Sequence, residues 1–299
     1  MSLVENRSPR LRAVMGELMA HVGTARTVGV TGSPGVGKST LVTAMVGAYR
    51  STGARVGVLA VDPSSPFTGG AVLGDRVRMQ EYATDAGVYI RSMASRGHLG
   101  GLSWATPQAL RVLDAVGFEV VVIETVGVGQ SEVEVAGLAD TTVVALAPGM
   151  GDGIQAAKAG ILEIGDVFVV NKADRDGAGT VVRDLTAMLR AAPSVPALES
   201  AGWTPPVLRT IAHRGSGVEG LVQALAEHAD WLSSSGRLQA RRRRQAREEI
   251  EALAQADFLD RARAGLGDAT IDDLAARVAA GELDPYSAAD QLLPSGERY

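Results

Sequence analysis

The run Gly32-Ser33-Pro34-Gly35-Val36-Gly37-Lys38-Ser39-Thr40 puts glycines, a lysine and adjacent hydroxyls at a spacing suited to holding phosphate. Glycines let the backbone curl round an anion with no Cβ in the way. A helix opening on the far side aims its unpaired N–H groups at the same charge. The pattern is G-x-x-x-x-G-K-[ST], the phosphate-binding loop of nucleoside triphosphatases. It predicts nucleotide contacts from Gly35, Val36, Gly37, Lys38, Ser39 and Thr40, with Lys38 reaching the β- and γ-phosphates and the Ser39 hydroxyl holding Mg²⁺.

Asn171-Lys172-Ala173-Asp174 follows an apolar run and reads N-K-x-D, a guanine-reading pattern. An aspartate carboxylate accepts from both N1–H and the 2-amino group of guanine. Adenine lacks that amino group, and a site built on such bonds rejects the analogue missing them by about 10⁴ or more. Asn171 is expected to tie the base edge to the phosphate loop, and the Lys172 stem to lie along the base face. Ala212, after Thr210-Ile211, supplies a third contact through its backbone N–H. GTP and GDP are therefore the expected nucleotides.

Three acids stand at candidate metal and water positions. Asp62 ends the apolar run Val56–Val61, where it either reaches a water on Mg²⁺ or caps the next turn. Asp75 ends the glycine-rich stretch Thr68–Gly74, as a mobile segment ordering around Mg²⁺ and γ-phosphate would, or as a helix cap would. Glu124 ends the run Val120–Ile123, three residues before Gly127. There the acid faces the metal shell or the attacking water, and the glycine N–H meets the γ-phosphate. The glutamine familiar from Ras-type switches is absent after that glycine, because Val128 takes its place and Gln130 comes later.

These groups need a scaffold that brings loop tips to one edge. Short apolar runs at Val28–Thr31, Val56–Val61, Val88–Ile90, Val120–Ile123, Thr142–Ala147, Val167–Val170 and Val207–Ile211 alternate with helical stretches. Such alternation predicts an α/β fold, a three-layer, mostly parallel sheet covered on both faces. Ligands gather at the carboxyl ends of its strands. Ser39–Tyr49 is the expected helix behind the phosphate loop, and Ser8-Pro9 opens another over 8–22. The expected organisation is a helical segment over 1–26, a nucleotide domain over 27–232 and a helical arm over 233–299. In the arm, Arg241–Arg244 and Arg247 precede Glu248, Glu249 and Glu251, read as a solvated face beside the seam Ala246, Ile250 and Leu253.

Bulk properties narrow the class. With 46% hydrophobic but only 4% aromatic residues, the core must be built from Val, Leu, Ile and Ala. A net charge of −5 gives no general reason to expect nucleic acid or an anionic membrane. The chain has 0 cysteines, which removes thiolate metal sites and fits a reducing compartment. No apolar run approaches the ~18 residues of a membrane span. A cytoplasmic protein is the expectation.

In combination these stretches resemble the MeaB/ArgK group of P-loop GTPases. Gly32–Thr40, Val61–Gly74 with Asp75-Arg76, Ser95–Gly101 (SRGHLGG), Glu124–Glu132 (ETVGVGQSE), Gly151–Lys158 and Asn171–Asp174 carry the likeness. The resemblance implies a GTPase chaperone of an adenosylcobalamin-dependent acyl-CoA mutase, typically methylmalonyl-CoA mutase. Such a chaperone gates cofactor loading, protects the mutase, and forms a homodimer through its C-terminal helices. It places Asp62 and Asp75 in the first switch, Glu124 in the second, and Asp152 and Lys158 on a loop coupled to the mutase. Two other readings use the same motifs. One is a metal-delivery GTPase, although this chain has 4 His in no ligand spacing. The other is a GTP-dependent regulator or adaptor, for instance of an amino-acid transport system.

Overall fold

The computed structural model describes residues 1–5, 8, 10–63, 80–95, 105–125, 131–149, 161–191, 202–265 and 271–291. These fall into two compact units, Met1–Arg243 and Arg244–Tyr299.

The first unit is built on seven strands: β1 (Arg26–Thr31), β2 (Val56–Pro63), β3 (Val88–Ser95), β4 (Val120–Thr125), β5 (Thr141–Leu146), β6 (Val167–Val170) and β7 (Val207–Arg209). Their order in the sheet is β3-β2-β4-β1-β5-β6-β7, and every pairing is parallel. Parallel neighbours need crossovers, and helices α1 (Ser2–Glu5), α2 (Leu11–Leu18), α3 (Lys38–Ser51), α4 (Ala105–Ala115), α5 (Ser131–Leu138), α6 (Ile161–Ile164), α7 (Ala178–Ala191) and α8 (Val218–Ser234) cover the faces. One face buries Val28, Val30, Val56, Val122 and Val143 against Leu41 and Met45 of α3 and Leu221 and Leu225 of α8. The other packs Leu59 and Val121 on Ala109 and Leu113 of α4, and Val144 and Phe168 on Leu185 of α7. The aliphatic core expected from composition is what forms.

Differences from the sequence reading sit at edges. β3 runs to Ser95, paired with β2 along its whole length, where apolarity alone suggested an end at Ile90. As an edge strand it is only half buried, so Arg91 and Ser92 are tolerated and blur the apolar signal. The stretch 8–22 yields the α-helix Leu11–Leu18 and one 3₁₀ turn, Met19–His21. The turn α1 escaped the reading, being too short for periodicity; its Val4 is 1% exposed in the cluster with Leu59 and Ala109.

At the amino ends of the central strands lies a polar layer, opposite the loops that carry the motifs. The Asp114 carboxylate accepts from the Gly23, Thr24 and Ala25 N–H groups at 2.5, 3.2 and 2.9 Å, fixing the entry to β1. Asp140 and Asp166 stand at the starts of β5 and β6, and two arginines of helix α9 (Arg237–Gly265) hold them. Arg242 gives Asp140 bonds of 3.1 and 2.7 Å and also reaches the Gly23 and Ala25 carbonyls. Arg241 reaches the Asp140 carbonyl at 2.5 Å and Asp166 Oδ2 at 3.0 Å. The first two arginines of the charge run are structural rather than part of a solvated face. Hydrogen-bonded carboxylates outcompete water for them.

His228 of α8 is buried in the same layer, its ring packed against both Trp203 and Trp231 and its Nδ1 2.8 Å from Thr141 Oγ1. Burial depresses its pKa to about 4, against the pull of Asp166 and helped by Arg241. The unfolded chain therefore takes up the proton first as pH falls below about 6.5, and folding loses stability through that range. Urea denaturation at pH 7.5 and 5.5 is expected to show a loss of about 1 kcal/mol attributable to this group. His228→Gln should flatten that part of the slope; an unchanged slope would mean His228 does not titrate as described.

The second unit comprises the rest of α9, α10 (Ile271–Ala279) and α11 (Pro285–Asp290). Asp284 caps α11 by accepting from the Tyr286 and Ser287 N–H groups at 3.0 Å. Along α9, Ile250 is 66% exposed, and Leu253, Phe258 and Leu259 are also exposed.

Candidate functional site

β1 ends at Thr31, and the chain turns through Gly32–Gly37 into α3, which begins at Lys38. Gly37 is left-handed with φ 92°, and a Cβ there would meet Asn171 Nδ2 at 2.7 Å. Gly32, at φ 136°, leaves no room either: a Cβ would press on the Ala145 carbonyl oxygen. The two glycines are thus required by conformation and by the close approach of β5 and the loop after β6. Lys38 folds back over the loop, its Nζ donating to the Gly32 carbonyl at 2.7 Å and the Ser33 carbonyl at 3.2 Å. Val36 is fully buried, while the space beside Gly35 is open. Thr40 occupies the first turn of α3.

Sheet register brings the acids to this loop. Parallel pairing sets Val30 of β1 opposite Glu124 of β4, and Ala60 of β2 opposite the same residue. Glu124 therefore stands one step before the turn, 1% exposed, and accepts from Ser39 Oγ at 2.6 Å. Asp62 lies two residues beyond Ala60 on β2, at the same edge. Its side chain is outside the described part of the structure, as are Asp75, Gly127, Asp152 and Lys158 entirely. A hydroxyl and a carboxylate within hydrogen-bond reach form a hard, oxygen-only donor set, which suits Mg²⁺ rather than a softer metal.

The N-K-x-D loop is held just as tightly. Asn171 is 2% exposed and satisfied on both sides. Its Nδ2 donates to the Val36 carbonyl at 2.9 Å, and its Oδ1 accepts from Thr210 Oγ1 at 3.0 Å and from the Ala212 N–H at 3.1 Å. Asn171 thus joins the phosphate loop to the loop after β7. The Ala212 N–H, expected on the base, is given to Asn171 instead. Lys172 holds a left-handed φ of 54°, rare outside glycine, and its Nζ donates to the Gly35 carbonyl at 2.6 Å. Asp174 is exposed beyond it. Thr210 belongs to no motif, and its one signal in the sequence is a hydroxyl at a strand end beside Ala212.

The structure thus gathers Lys38, Ser39, Glu124, Asn171, Lys172, Asp174 and Ala212 at the carboxyl ends of β1, β4, β6 and β7. A phosphate on the loop and a base between residues 172 and 212 would be spanned by Asn171. Charge fits as well: Lys38 and the opening of α3 supply positive potential where phosphate would lie.

Comparison with known proteins agrees with this layout. The family model described as methylmalonyl Co-A mutase-associated GTPase MeaB matches residues 1–266. A protein of Pyrococcus abyssi named as a GTPase is 45% identical over 297 residues, covering 98% of this chain and 90% of its own. GTPase ArgK of Escherichia coli is 38% identical over 87% of this chain and 80% of its own. The mitochondrial methylmalonic aciduria type A homolog of Mus musculus is 36% identical over 89% of this chain and 64% of its own. Among solved structures, an LAO/AO transport system kinase superposes with TM-score 0.66 at 29% identity, over 97% of this chain and 89% of that one.

Proposed function

This chain belongs to the MeaB family of methylmalonyl Co-A mutase-associated GTPases, and from that premise we propose that it is a GTP-timed chaperone of an adenosylcobalamin-dependent acyl-CoA mutase. Hydrolysis of GTP belongs to it as a member of that family. The mutase role is our reading, and the family description and the mouse relative's name support it. The geometric observation that carries the nucleotide part is Asn171. One buried side chain bonds Val36 of the phosphate loop and both Thr210 and Ala212 of the base loop.

In the reading we favour, Gly35, Val36, Gly37 and Thr40 present backbone to the phosphates, and Lys38 turns from the Gly32 and Ser33 carbonyls to the β- and γ-phosphate oxygens. Ser39 and Glu124, with Asp62 and Asp75, hold Mg²⁺, whose role is to offset the charge of the phosphates. Glu124 orients the attacking water or the metal's water shell, and the Gly127 N–H meets the γ-phosphate. Asp174 reads the guanine edge, and the Lys172 stem covers the base face. Catalysis then comes from positioning and charge neutralisation, since phosphoryl transfer leaves the protein little covalent chemistry to do.

The loop of Asp152 and Lys158 is assigned to coupling with the mutase, and the segment 233–299 to a homodimer. The exposed Ile250 and Leu253 on α9 support the second assignment, as an unpaired helix face would. A cytoplasmic setting completes the proposal, with the cysteine-free sequence in support. Among the described residues no helix is long and apolar enough to cross a membrane.

Turnover of GTP, measured with and without the host's cobalamin-dependent acyl-CoA mutase and with ATP as control, tests the proposal. We expect a rise of about tenfold or more with GTP alone, of the kind partner contact gives other switch GTPases. No rise, and no co-elution of the two proteins, would remove the mutase as partner and leave the GTPase.

A further inference from the structure

We infer that Arg214 is a specificity-determining residue of the base pocket, acting by positioning the Asp174 carboxylate. The two base readers are held very differently. Asn171 is fixed from two loops by bonds to Val36, Thr210 and Ala212. Asp174 makes no hydrogen bond among the described residues; its one partner there is Arg214, whose Nη2 lies 4.0 Å from Oδ2.

The root of Arg214 is well anchored. It ends the 3₁₀ turn Ala212–Arg214, and its N–H donates to the Ile211 carbonyl at 2.9 Å. Gly215 leaves that turn at φ 70°, and Ile211 and Ser216 close the loop with a bond of 2.9 Å. Gly217, at φ 78°, lets the chain pass so near the Arg209 carbonyl that a Cβ would collide with it. The Ala173 N–H donates to the Thr210 carbonyl at 3.0 Å, so the loops of Asp174 and Arg214 are also tied to each other.

A free carboxylate rotates about its Cβ–Cγ bond, and only one orientation offers both oxygens edge-on to N1–H and the 2-amino group. The guanidinium beside Oδ2 favours that orientation. With Arg214 65% and Asp174 30% exposed, the pair contributes little to folding. Its weight falls on base binding, where water is displaced and the charge pair strengthens.

This inference rests on the assignment of Asp174 to the guanine edge, so the experiment carries a control for that assignment. Affinities for GDP and for IDP, which keeps N1–H but lacks the 2-amino group, are measured by titration calorimetry on wild type, Arg214→Ala, Arg214→Lys and Asp174→Asn. Arg214→Ala is expected to weaken GDP about tenfold and to shrink the GDP-over-IDP preference at least about threefold. Arg214→Lys should recover most of that preference, since it restores the charge. A GDP-over-IDP preference unchanged in Arg214→Ala, while Asp174→Asn loses GDP, would overturn the role of Arg214 alone. Intact GDP binding in Asp174→Asn would remove the guanine assignment itself and the inference with it.

Discussion

Glu124→Gln is expected to lower single-turnover GTP hydrolysis by about 10²–10³-fold while GDP affinity changes by less than about threefold. The substitution keeps the side chain's size and its ability to accept from Ser39, so the buried contact at 2.6 Å survives. What disappears is a negative charge 1% exposed at the root of the phosphate loop. Charge there matters most when phosphate charge is being redistributed, because low local dielectric magnifies every electrostatic contact. Ground-state nucleotide binding rests mainly on Lys38, the loop backbone and Asn171, which the variant leaves in place. The loss should therefore appear in the hydrolysis step. Wild-type turnover no faster than that of Glu124→Gln would instead favour the adaptor reading, in which GTP is bound and hardly hydrolysed.

Arg242→Met is expected to destabilise the protein by about 2–3 kcal/mol, seen as a fall of roughly 4–10 °C in Tm. Asp140 is the reason: its side chain is 7% exposed, and Arg242 is its charged partner at 2.7 Å. Without Arg242 the carboxylate keeps a bond from the Thr27 N–H at 3.1 Å and loses the positive charge. The Gly23 and Ala25 carbonyls lose a donor at the same time. Because a third of Arg242 is exposed, water recovers part of the loss, which holds the figure at the lower end of the range for buried pairs. Adding Asp140→Asn to Arg242→Met should restore part of the stability, because no lone charge then remains. Arg247→Ala serves as the reference. Its ion pair with Glu251 is 80% and 57% exposed, so solvent screening should leave it with no measurable effect on stability. Equal effects of Arg242→Met and Arg247→Ala would mean that the arginine layer under the sheet has no structural role.

Much of the site was legible because its chemistry is local in sequence. The glycines, Lys38 and Ser39 lie within one turn, and Asn171 through Asp174 within another. The fold class was legible for a related reason. A parallel sheet buried on both faces demands continuous apolar runs, and six of the seven strands carry them through most of their length. β3 shows the limit. At the sheet edge only one flank is buried, so the strand continues through Arg91 and Ser92 without an apolar signature. The α1 turn shows another, since four residues cannot display a helical period.

The sequence alone determined the phosphate-loop motif, the N-K-x-D motif, the strand–helix alternation and the aliphatic core, because each depends on residues close together in the chain. Tertiary structure decided which distant groups meet. Parallel register delivered Glu124 to Ser39 across 85 positions, and Asn171 to Val36 across 135. The same packing turned Arg241 and Arg242 from members of a charge run into partners of Asp166 and Asp140. A carboxylate at the start of a strand gives no sign in the sequence of which arginine it will bind. Only the closing of α9 onto the strand ends removes enough water from both groups to make that choice.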